Sequence, residues 1–98
     1  MIYTVTLNPA IDKTIVIDEY KRSKVNRSLV SRKDVGGKGI NVSKVLKVLC
    51  IDSVCTGILG DVNLSFFLDY LEALRIKTNF YIIPGENRTN IKIVEKKL

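Results

Sequence analysis

The stretch Gly36-Gly37-Lys38-Gly39-Ile40-Asn41-Val42-Ser43 packs glycines, a lysine and an asparagine into one turn. A helical pattern follows at once: Val42, Val45, Leu46 and Leu49 recur at the spacing of one apolar stripe, with Lys44 and Lys47 on the other side. Glycines ahead of a helix N-terminus let backbone N–H groups come close to an anionic or polyhydroxylated ligand. A purely structural loop needs one glycine, seldom several with Lys and Asn between them. The turn is not a nucleotide loop of the G-x-x-x-x-G-K-[ST] type, because no Lys-Ser/Thr pair follows its last glycine. It is not G-x-G-x-x-G either, because Val42 stands where the third glycine belongs.

Upstream of the turn, residues 2–7 are β-branched and aromatic and predict a strand that Asn8-Pro9 ends. Residues 13–18 and 29–35 predict two more strands, with a polar connection over 19–27. Downstream, Ser53 to Leu59 reads as a buried strand. Gly60-Asp61 opens a second helix, with Asp61 as N-cap and Leu64, Phe67, Leu68 and Leu71 as its stripe. Residues 78–83 form a strand, Pro84-Gly85-Glu86-Asn87 a turn, and residues 89–94 a last strand. Strands alternating with helices predict an α/β fold with a parallel sheet and right-handed crossovers. The pair 13–18 and 29–35 breaks that rhythm and reads as a separate small flap. Two helices are few to cover both faces of a parallel sheet. The chain is therefore expected to be part of a larger α/β protein.

At 98 residues there is room for one small domain, and a chain that is 46% hydrophobic and 27% charged is globular in composition. No run is long enough for a membrane span, and the N-terminus lacks the pattern of a signal peptide. Cys50 and Cys55 have no metal-ligand spacing and no histidine to join them. They read as small hydrophobes in a reducing compartment, so a cytoplasmic location is expected. The net charge of +6 is spread along the chain, with no basic helix face and no aromatics interleaved with the basic residues. That distribution argues against a nucleic-acid partner.

Several residues fit a polar ligand, and each has a plainer alternative. Asp12 can accept from two hydroxyls, or cap a turn. Asn41 can donate and accept, or bond nearby backbone. Gly37 and Gly39 permit close backbone approach, or merely a tight turn. Lys38 sits near a helix start, an unfavourable place for a cation unless an anion joins it. Arg88 can offer a bidentate fork to a phosphate, or be a surface charge. Arg27, between the flap strands, can reach a substrate phosphate.

Residues 36–43, followed by Gly60 after the next strand, resemble the first signature of the PfkB carbohydrate kinases, the ribokinase-like family. The signature's small residue at the end of the intervening helix is Cys50 here. The opening Thr6-Leu7-Asn8-Pro9-Ala10-Ile11-Asp12 and the run Arg88-Thr89-Asn90-Ile91-Lys92 are similar to the same family, so the resemblance spans essentially residues 1–98. It implies the N-terminal, sugar-binding portion of a ribokinase-like fold: a parallel core sheet with flanking helices plus a small β lid. The lid strands would lie near 13–18 and 29–35, with 89–95 a candidate third.

Within the family the branch resembled is that of 1-phosphofructokinase, which phosphorylates fructose 1-phosphate to fructose 1,6-bisphosphate with ATP and Mg. The alternatives are tagatose-6-phosphate kinase, or a non-catalytic sugar-phosphate-binding or dimerisation module. The resemblance implies that Asp12, Gly37 and Asn41 orient the sugar and that Lys38 and Arg88 face its phosphate, with Gly39 and Arg27 as further substrate contacts. It also implies a homodimer through the lid. The family's catalytic aspartate belongs to a second glycine-rich motif, near which ATP binds, and nothing in residues 1–98 matches it. No catalytic base and no ATP or Mg site is therefore expected in this chain, nor phosphoryl transfer by the chain alone.

Overall fold

The computed structural model describes residues 1–17 and 28–95. The elements run β1 (Ile2–Thr6), β2 (Ala10–Ile17), β3 (Ser28–Gly36), α1 (Lys38–Val48), β4 (Ser53–Gly60), α2 (Leu64–Ala73), β5 (Lys77–Ile83) and β6 (Arg88–Glu95). They form two three-stranded sheets, in the orders β1-β4-β5 and β3-β2-β6. The first is parallel throughout. In the second, β2 is antiparallel to β3 and parallel to β6.

β2 begins at Ala10, not at 13, so Asp12 lies inside a strand and not in a turn. Ladders on both sides cause this extension: Ala10 is in register with Gly36 on β3 and with Arg88 on β6.

The core joins Ile11, Val35, Ile40, Cys55, Leu59, Phe67, Leu71 and Ile76. Ile40 comes from α1, and Phe67 and Leu71 from α2, so both helices pack on the face of β4 that carries Cys55 and Leu59. The alternate residues Tyr3, Val5, Ile58 and Tyr81 remain exposed on the parallel sheet.

Two expectations fail. The stripe of α1 does not face the core: Val42, Val45 and Leu49 are 51%, 59% and 62% exposed, while Gly39, Ile40 and Ser43 are buried. Ser43 can be buried because its hydroxyl bonds those of Thr4 (2.6 Å) and Ser53 (2.9 Å); a satisfied hydroxyl loses most of the cost of leaving water. The N-cap of α2 is Asn63, not Asp61. The Asp61 carboxylate instead accepts from the Gly85 N–H at 3.0 Å and ties the start of α2 to the turn after β5. Cys50 is exposed and Cys55 buried, and both are free thiols.

Candidate functional site

The site grows from the place where β3 turns into α1. Gly37, the N-cap of α1, has φ +135°, a conformation side-chain-bearing residues rarely adopt; a Cβ there would lie 2.5 Å from the Thr6 side chain. The first N–H groups of a helix have no acceptor within it. Thr6 takes one of them: its hydroxyl accepts from the Ile40 N–H at 2.9 Å. Asn41 N–H bonds Gly37 O at 2.8 Å.

An open cleft of roughly 630 Å³ lies beside this turn. Asp12, Gly37, Lys38, Asn41 and Arg88 all line it, with Asn8 and Asn90 among their neighbours. Five of the residues selected from the sequence therefore meet on one surface, from β2, the turn, α1 and β6. Gly39 does not line the cleft. It is buried where α1 crosses β1, and a Cβ there would come within 2.5 Å of the Val5 carbonyl oxygen, so its place is a packing requirement. Arg27 lies outside the described residues.

Asn90 was not selected from the sequence. Its side-chain amide donates to Asp12 Oδ1 at 3.0 Å. The signal was present in the alternation of β6: Arg88 and Asn90 are two apart and share a face. Recognising it required the register that sets Asn90 beside Asp12.

A second polar group braces β3 just before the turn. The Tyr70 phenol donates to Asp34 Oδ1 at 3.0 Å, and Arg32 Nε donates to Asp34 Oδ2 at 2.9 Å. Lys44 donates to the Val35 carbonyl and lies over the Tyr70 ring, 4.9 Å from its centroid. Burial lowers the Lys44 ammonium from its ordinary value, against the opposing pull of Asp34 and Asp12. Burial, and then the bond to Asp34, raises the Tyr70 phenol. Both helices thus grip the strand that feeds the glycine turn.

Residues 5–97 match the pfkB family of carbohydrate kinases. The chain belongs to that family. It is 42% identical over 94 residues to a 1-phosphofructokinase of Borreliella burgdorferi, covering 96% of this chain and 31% of that protein. It is 38% identical over 96 residues to a tagatose-6-phosphate kinase of Staphylococcus epidermidis, covering 98% of this chain and 31% of the relative. A crystal structure described as a phosphofructokinase from Staphylococcus aureus superposes with a TM-score of 0.87 at 40% identity, covering 99% of this chain and 32% of that one. Escherichia coli phosphofructokinase-2 in complex with fructose-6-phosphate shares the fold, with a TM-score of 0.84 at 21% identity over 94% of this chain and 30% of its own. This PfkB chain thus spans about 31% of the curated relatives it matches. Its fold is the N-terminal part of a ribokinase-like architecture, as its sequence implies. Among the described residues no helix is long and apolar enough to cross a membrane.

Proposed function

We propose that this chain is the sugar-phosphate-binding portion of a 1-phosphofructokinase, and that its cleft takes fructose 1-phosphate. The observation that supports this reading is the convergence of one carboxylate, three carboxamides and two cations on a single cleft. Asp12 accepts from sugar hydroxyls, and Asn41 can donate or accept. Lys38 and Arg88 neutralise the phosphate, Arg88 with a planar fork suited to its oxygens. The helix end at Lys38 adds N–H groups to that anion site. The run Arg88-Thr89-Asn90-Ile91-Lys92-Ile93 resembles 1-phosphofructokinases and favours fructose 1-phosphate over tagatose 6-phosphate.

The β3-β2-β6 sheet serves as the lid over the sugar and excludes water that would compete for the phosphoryl group. The lid also forms the contact of a homodimer; Ile91 and Ile93 on β6 are each 64% exposed. ATP with Mg supplies the phosphoryl group in the whole cytoplasmic enzyme. Among the described residues no group of three or more His, Cys, Asp or Glu could hold a metal ion. No transfer step is assigned to this chain.

Calorimetry on the 98-residue chain tests the reading. Fructose 1-phosphate binds, ATP does not, and Arg88→Ala weakens the sugar phosphate by at least about tenfold while leaving unphosphorylated fructose unchanged. Equal affinity for fructose and its phosphate, or ADP release by the purified chain, would overturn it.

A further inference from the structure

We propose that Gly36 and Asn90 are positioning residues that together seat the Asp12 carboxylate for a pair of neighbouring sugar hydroxyls. The inference rests on the sugar-phosphate reading of the cleft and identifies what aims the one carboxylate among the described residues that line it.

Asp12 on β2 lies directly opposite Asp34 on β3. Like charges facing each other across a ladder repel. Each carboxylate has partners of its own. Asp34 is held by Arg32 Nε at 2.9 Å and by the Tyr70 hydroxyl at 3.0 Å. Asp12 is held from the other side, where the Asn90 amide donates to its Oδ1 at 3.0 Å. Asn90 is also the register partner of Asp12 on β6, so the ladder itself delivers the amide to the carboxylate.

Gly36 supplies the other half of the seat. A Cβ at this position would lie 2.3 Å from Asp12 Oδ2, far inside contact distance. Unlike Gly37, Gly36 has no left-handed backbone to require glycine. Room for Oδ2 is what its missing side chain provides. One carboxylate oxygen is thus fixed toward β6 and the other over β3, and any other residue at 36 would push Asp12 off that position.

The seat also decides what Asp12 can recognise. A carboxylate only accepts hydrogen bonds, so the Asn90 nitrogen must face it and the Asn90 carbonyl oxygen is left as a second acceptor. Asp12 and Asn90 both line the cleft. Two adjacent acceptors match a ligand that offers two adjacent donors, which is the chemistry of a vicinal diol.

The test is a set of double-mutant cycles on the 98-residue chain, with fructose 1-phosphate as the calorimetric probe and thermal unfolding as the check on folding. Gly36→Ala and Asn90→Leu each weaken binding roughly tenfold in the wild-type background. In an Asp12→Ala background Gly36→Ala has no further effect, because the group it positions is gone, and Asn90→Leu costs clearly less than in the wild type, because only its own acceptor is then lost. Losses that add in full to that of Asp12→Ala would overturn the proposal, since they would mean a merely structural role. A ligand-free readout decides the case in which Gly36→Ala fails to fold: the Asn90 side-chain amide NMR signals shift when Asp12 is replaced by Ala, and unchanged signals sink the seat. A wild-type chain that does not bind fructose 1-phosphate refutes the sugar-phosphate reading instead, and the amide signals still judge the seat.

Discussion

Tyr70 shows how one residue outside the cleft can govern it. Its phenol reaches Asp34, and its ring lies under the Lys44 ammonium that bonds the Val35 carbonyl. All three partners sit within the strand end that becomes the glycine turn or on the helix that leaves it. The phenol is raised above its ordinary value of 10.0 by burial first and by Asp34 second. A raised acid contributes stability that is fully present below its unfolded value and is lost as pH rises through the folded one. Tyr70 therefore makes the fold lose stability in the alkaline range, starting near pH 10.0. Lys44 acts in the opposite sense: burial lowers it, and the cost of its charge is relieved as pH climbs toward 10.5. Tyr70→Phe isolates the first effect. Urea unfolding of this variant should show a shallower alkaline decline than the wild type, and identical declines would refute the link.

The two helices end in the same way, and that ending carries a prediction at the level of the element. In α1 the Ile51 N–H bonds Leu46 O at 2.8 Å and the Cys50 N–H bonds Lys47 O at 3.0 Å. In α2 the Ile76 N–H bonds Leu71 O at 3.0 Å and the Arg75 N–H bonds Glu72 O at 2.8 Å. These are Schellman motifs, which place the residue after the C-cap in the left-handed region. Cys50 and Arg75 occupy it with φ of 62° and 59°. A side chain there is strained, and glycine is not. Cys50→Gly should stabilise the chain by about 0.5–1 kcal/mol, read as a higher midpoint in urea, and a lower midpoint would count against the strain.

This helix end was legible from the sequence, because a cap is a local device and a family pattern marks a small residue there. The glycine turn and both helices were legible for the same reason. What lay hidden was set by distant pairing. Asp12 belongs to a strand because β3 and β6, the latter with Asn90, dock on either side of it. Asp61 looks like a cap until Gly85 is brought to it. Gly39 looks like a ligand contact until β1 is laid beneath α1. The burial of Ser43 likewise depends on Thr4 and Ser53 closing around its hydroxyl.

At the scale of the whole molecule, the main feature is apolar surface with nothing against it among the described residues. The parallel sheet carries both helices on one face, whereas parallel sheets are normally covered on both. Tyr3, Val5, Ile58 and Tyr81 are exposed on that sheet, and Val42, Val45 and Leu49 on α1. Exposed apolar surface of this kind drives association. The isolated 98-residue chain should therefore self-associate as its concentration rises, seen by sedimentation velocity and by binding of a hydrophobic dye. Val45→Lys with Leu49→Lys places charge on the α1 stripe, near a helix C-terminus that favours cations. If the α1 stripe carries the association, this pair of changes abolishes it and leaves fructose 1-phosphate binding intact. A lid dimer runs instead through β6, survives those changes and is broken by Ile91→Lys with Ile93→Lys. Association that withstands both pairs would point to the open sheet face, and a wild-type chain that stays monomeric and binds no dye would refute the assignment of these surfaces as adhesive.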